Sequence, residues 1–137
     1  MRLTTNQIIG VVETFIRMNI PDCPSVIPVW INRGNHSNAM GFTEGNRSFH
    51  KSKIFINFAN IITVVDAIET ILHEYRHLCQ MRRLQQRFGF SLANSIFSYM
   101  YEIGDTVWED DAEAYVTSCH ESLDLVIDYA ATKYFAR

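Results

Sequence analysis

Two histidines stand four positions apart near the middle of this chain, with a glutamate directly after the first: His73, Glu74, Tyr75, Arg76, His77, within "ILHEYRHLC" (71–79). On a helix, residues four apart lie one turn above each other on one face. His73 and His77 can therefore each aim a ring nitrogen at one Zn²⁺, at about 2.0–2.1 Å. Glu74 is one step round the helix. It is badly placed to be a third ligand, but it can reach a water whose pKa the metal lowers from about 15.7 toward ~7, and take its proton. One turn would then supply two ligands and a general base. Five histidines and eight glutamates in 137 residues give about 0.01 expected occurrences of H-E-x-x-H, so composition alone does not account for it. The competing reading is a helix with two half-buried histidines beside an incidental glutamate.

A catalytic zinc takes three protein ligands and keeps one position open, so a third must come from another element. Downstream, "VWEDDAEAY" (107–115) offers Glu109, Asp110, Asp111 and Glu113. Glu109 and Glu113 are four apart and share a helix face, from which Asp110 and Asp111 turn away. Thr106 and Glu109 also have capping-box spacing, so Glu109 has a purely structural alternative, capping its own helix.

H-E-x-x-H, followed on a later helix by E-x-x-A-(D/N/E), resembles the gluzincin branch of zinc metallopeptidases. In size the chain is similar to small single-domain members, the minigluzincins and ImmA/IrrE-like peptidases. Two short motifs carry the resemblance, HEYRH (73–77) and EDDAE (109–113). It implies one zincin-like α+β domain over residues 1–137: an N-terminal helix, a small sheet, a helix bearing the histidines, then two further helices. It implies one Zn²⁺ held by His73, His77 and Glu109, with Glu74 activating water and Glu113 holding a ligating histidine from behind. That last position is usually Asp or Asn in the family. The longer glutamate here leaves Glu113 open as the ligand itself. The implied reaction is hydrolysis of peptide bonds in a protein or peptide substrate. The substrate backbone would dock on an edge strand, for which "KIFINF" (53–58) is the candidate. Such compact peptidases occur in phage and mobile-element settings. An alternative is a catalytically inactive zincin-fold module that binds a partner protein around a structural zinc. Another is a small helical regulator without metal.

The elements that must position these residues are legible in the pattern. Thr4 and Gln7 have capping-box spacing ahead of Ile8, Val12, Phe15, Ile16 and Asn19, which form one helix face. "IPDCPS" (20–25) ends that helix through its two prolines. "VIPVWIN" (26–32) is β-branched and aromatic and predicts a strand, with Pro28 suited to an edge or a bulge. Residues 33–46 are polar and glycine-bearing. They predict a loop with a short strand at "AMGF" (39–42). "KIFINF" predicts another strand. Val64, Ile68, Ile71, Tyr75 and Leu78 then fall at helical spacing, predicting a helix to about Phe88 closed by Gly89. Ser91 could cap the next helix, through Ile103 to Gly104. A last helix would start near Asp105 or Thr106 and run most of the way to Arg137. Strands segregated from helices argue for α+β rather than βαβ alternation.

Composition narrows the partners. The net charge of −3 and pI near 5.9 argue against nucleic acid, since phosphate binding needs clustered positive charge. The basic cluster "RRLQQR" (82–87) is a solvated helix face or a docking patch for an acidic partner. Cys23, Cys79 and Cys119 are odd in number and scattered, which predicts no disulfide framework and a reducing, cytoplasmic setting. "MRLTTNQIIG" lacks a signal-peptide pattern, and no 18-residue apolar run predicts a membrane span. Hydrolysis needs a donor near the developing oxyanion. Tyr101, Tyr115, His120 and Arg76 are candidates. Cys79, about 200° round the helix from His77, is expected in the core. Trp30 and Trp108 are expected in the core or a pocket wall, and His36 and His50 in the loop region.

Overall fold

The computed structural model describes residues 4, 6, 7, 10, 13, 14, 16, 17, 20, 23–29, 40–57, 60, 61 and 63–119. Every described position from 6 to 17 is helical. The Thr4 hydroxyl accepts from the Gln7 amide at 3.2 Å and the Gln7 side chain accepts from the Thr4 amide at 2.8 Å. That is the reciprocal cap the spacing predicts. Trp30, His36 and the residues from His120 on lie outside the described residues. The last helix does not run on toward Arg137 as expected: it spans Val107–Ser118 and closes at Cys119, whose backbone N–H turns to the Val116 and Thr117 carbonyls.

Three strands follow: β1 (Ser25–Val29), β2 (Gly41–Glu44) and β3 (Lys53–Asn57). The sheet order is β1-β3-β2. β1 runs parallel to β3, with Pro28 opposite Ile56, and β2 runs antiparallel to β3, with Gly41 opposite Ile56. Among the described residues β1 is an edge strand, the place in a sheet where proline is tolerated. The expectation that KIFINF is an edge strand is overturned: β3 is paired on both sides, and among the described residues the edge beside the helices is β2. The physical reason is in β3 itself. Ile54 and Ile56 are fully buried, and a strand carrying such residues gains most from a central place.

Helix α1 (Val64–Phe88) opens on a capping box in which Thr63 accepts from the Asp66 amide and Asp66 accepts from the Thr63 amide. It ends at Gly89, whose φ of 84° favours glycine. Helices α2 (Phe90–Glu102) and α3 (Val107–Ser118) pack against it. α2 begins directly after Gly89 and takes no side-chain cap. Ser91, expected as the cap, sits one residue inside the helix, where its carbonyl accepts from Ser95. Gly104, at φ 75°, follows the end of α2 as predicted. The fold of the described residues is therefore α+β. No helix among them is long and apolar enough to cross a membrane.

Two stripes of α1 are buried, and they differ in kind. Ala67, Ile68, Ile71, Leu72 and Leu78 join Ile54 and Ile56 in the core. The other stripe is polar: Thr70, Glu74, His77 and Gln80 are all buried. Burying polar groups costs free energy unless each finds a partner. A four-residue polar seam at helical spacing is therefore the feature of this fold that asks for a functional explanation.

β2 lies hard against that seam. A Cβ on Gly41 would stand 2.7 Å from the Phe55 carbonyl oxygen and 2.7 Å from Thr70 Cγ2. Gly41→Ala is expected to destabilise the fold by about 1–3 kcal/mol, because backbone must move. Gly45→Ala meets only the flexible end of Met81 and should cost clearly less. Parallel urea titrations of the two variants check this.

Candidate metal centre

α1 and α3 bring His73, His77 and Glu109 together. His73 Nε2 lies 2.8 Å from Glu109 Oε2, His77 Nε2 lies 3.1 Å from Glu109 Oε1, and the two Nε2 atoms are 3.1 Å apart. On α3, Ala112 and Val116 are the buried residues. Ala112, which has no side chain beyond Cβ, lets the two helices approach closely. Glu109 and Glu113 flank that contact. Thr106 makes no side-chain cap to its helix, so Glu109 is not spent as a cap and faces the histidines instead. Its partner hydroxyl is elsewhere, since Thr106 donates to Asp110.

Glu113 stands in a different relation to the pair. Its Oε1 lies 2.9 Å from His73 Nδ1, the ring atom opposite the one facing Glu109. The outer nitrogen of His77 is also occupied, at 2.9 Å from Gln80 Oε1. Both imidazoles thus have Nδ1 engaged with an oxygen and Nε2 turned to the same point. These donors fit a metal ion. With the protons on Nδ1, each Nε2 offers a lone pair, and Glu109 offers two oxygens. Such acceptors at 2.8–3.1 Å repel unless a cation is shared among them. The three ligand atoms all lie within 4.8 Å of one another, near enough for one ion to bridge them. His73, His77 and Glu109 are the one group of three or more metal-binding side chains among the described residues.

Local electrostatics favour neutral imidazole at His77. Burial pushes its pKa below the ordinary histidine value, against smaller opposing effects of Gln80 and Glu109. Burial alone would raise Glu109, but the Tyr101 hydroxyl and both imidazoles outweigh it and hold the carboxyl below its usual range. Glu74 behaves oppositely. Burial, then the charge of Glu109, pushes it up to about 7. Its carboxylate takes no hydrogen bond from the described residues, and it lines a cleft of about 440 Å³ with Gly41, Thr70, His73, Glu109 and Glu113. The cleft therefore joins β2, His73 and a carboxylate with no hydrogen-bond partner among the described residues.

Of the donors considered near the cluster, the fold brings in Tyr101. From the end of α2 its hydroxyl donates to Glu109 Oε1 and lies 3.4 Å from His77 Nε2. Burial and then the Glu109 bond push its pKa up, so it remains a donor. Phe97, one turn earlier, packs edge-on against His77 and stacks on Trp108. The other candidates go elsewhere. Arg76 grips Asp111 through two bonds, at 2.8 and 3.2 Å, and lies over the Tyr115 ring. Tyr115 packs against the core. His50 is exposed on the short turn Phe49–Lys51 and does not line the cleft. Cys79 packs against the core with its thiol pushed up by burial, and all three cysteines are free. Gln80 is the site residue that the motif did not announce. Its signal was present all the same, three residues past His77 on the same helix face. None of the family models, curated proteins or solved structures compared with this chain matches it.

Proposed function

We propose that this chain is a zinc-dependent metallopeptidase with a zincin-like fold, cleaving peptide bonds in a protein or peptide substrate. One observation carries the reading: both Nε2 atoms and the Glu109 carboxylate converge on one point, while a buried Glu74, without a hydrogen bond among the described residues, shares a cleft with His73 and Glu109. His73, His77 and Glu109 would hold the ion, and Glu113 would hold His73 from behind. A bound Zn²⁺ would supply Lewis-acid polarisation of the carbonyl and a lowered pKa for the attacking water.

The chain's own groups account for the rest of the chemistry. Glu74 takes the proton of the attacking water and delivers it to the departing amine nitrogen, ending as carboxylate again. A carboxyl raised by burial is suited to both halves of that task. The Tyr101 hydroxyl, which donates to Glu109 Oε1, would exchange that acceptor for the carbonyl oxygen as negative charge develops there. β2, an edge strand among the described residues, rather than β3, is the strand to which an extended substrate would add by backbone hydrogen bonds. Gly41 keeps that strand close to Glu74.

Elemental mass spectrometry of the purified protein is expected to find about one zinc per chain, the stoichiometry of a single three-ligand site. His73→Ala should lose it. Wild-type protein without zinc, even after refolding in its presence, would sink this reading.

A further inference from the structure

His77 binds through Nε2 only if its proton sits on Nδ1. That choice depends on which end of the Gln80 amide faces the ring, because a carboxamide can present either an acceptor oxygen or a donor NH₂. Nothing in the H-E-x-x-H spacing decides it. The surroundings of Gln80 do. Its Nε2 has two acceptors, the Trp108 backbone oxygen at 3.0 Å and Asp111 Oδ2 at 2.8 Å. Both are on α3, and neither can donate. A flipped amide would set its oxygen against two oxygens. Asp111 is itself held by the paired bonds from Arg76, one turn before Gln80 on α1. The carboxylate that turned away from the metal face in the sequence is thus the anchor of the amide behind the second histidine.

We propose that Gln80 is a positioning residue that fixes His77 as the Nδ1–H tautomer, and that Asp111, clamped by Arg76, fixes the amide orientation that lets it do so. This rests on the metal reading above. It adds that metal affinity is set partly from the far side of α1, through a chain of contacts running Arg76, Asp111, Gln80, His77. His73 needs no such device, because the Glu113 carboxylate facing its Nδ1 is an acceptor in either orientation. The two histidines are thus held by different chemistry, a charged acceptor for one and an oriented amide for the other.

The test uses the full chain and zinc alone as the probe. Zinc affinity is read by competition with a chromophoric chelator for wild type, Gln80→Met and Asp111→Leu. Gln80→Met keeps the length of the side chain and removes both polar ends. It is expected to weaken zinc binding by about 10–100-fold, the usual cost of losing the partner behind a ligand. Asp111→Leu, at a partly exposed site, should act in the same direction by a smaller factor. In zinc-free protein at about pH 8, where imidazole is neutral, nitrogen chemical shifts should report the His77 proton on Nδ1 in wild type. In Gln80→Met that preference should be lost. If both variants bind zinc within about twofold of wild type, far short of the partner cost, the proposal is overturned. An unchanged tautomer also overturns it, leaving Gln80 as a bridge between helices. Wild type that binds no zinc would defeat the metal reading instead, and the tautomer measurement would still decide the part of Gln80.

Discussion

Glu74→Gln is expected to keep zinc bound and to slow peptide hydrolysis by about 10²–10⁴-fold, the range typical of a lost general base. The substitution preserves shape and removes only the ability to accept the water's proton. Glu74 touches neither Nε2 atom, so the metal should stay, and elemental analysis alongside the rate separates the two effects. Zinc lost together with activity would count against the assigned role. The same variant has a second signature in the zinc-free protein. Glu74 is raised from 4.5 to about 7 in the fold, so the folded state holds this proton more tightly than the unfolded chain. Its contribution to stability is therefore fully present below about pH 4.5 and is lost as pH rises through about 7. Above that, a buried carboxylate is ionised at a cost of up to about 3 kcal/mol. Zinc-free Glu74→Gln should accordingly be more stable than zinc-free wild type at about pH 8 and equal to it at about pH 4. Denaturant unfolding at the two pH values measures it.

The second large effect separates the two glutamates of α3. Glu109 faces both Nε2 atoms, whereas Glu113 touches only the outer nitrogen of His73. Glu113→Gln should weaken zinc by about 10–100-fold, since an amide can still accept from Nδ1–H but without charge. Glu109→Gln should cost more than that, because it removes a direct anionic donor and leaves Tyr101 without its carboxylate partner. Titration of zinc into each variant gives the order. The reverse order would exchange the roles of the two residues.

Much of the local organisation was readable from residue order. The span of α1 to Phe88, its closure at Gly89, the cap at Thr4 and the shared face of Glu109 and Glu113 all follow from periodicity and capping chemistry, which act within a few residues. Burial of Ile68, Ile71 and Leu78 follows from the same spacing. The mistakes had a common cause. Ser91 looked like a cap because Ser often is one, but the chain passes from α1 to α2 through Gly89 alone. β3 looked like an edge because pairing partners are long-range, and a single strand does not declare how many neighbours it has. The choice between the carboxylates was no such mistake: the resemblance named Glu109 as the ligand and left Glu113 as the alternative. Distances of 2.8 Å to one nitrogen of His73 and 2.9 Å to the other distinguish them.

By itself the sequence determined which residues could bind a metal, because a helix of fixed pitch places His73, Glu74 and His77 relative to one another whatever surrounds them. It also determined that Glu109 and Glu113 travel together. Only the tertiary structure decided which of the two meets both imidazoles, that Tyr101 is the hydroxyl at the site, and that Gln80, Asp111 and Arg76 stand behind His77. Those choices depend on how α3 and α2 dock on α1. Docking is set by a packed interface between residues 24 to 40 positions apart in the chain, which no local rule of spacing reaches.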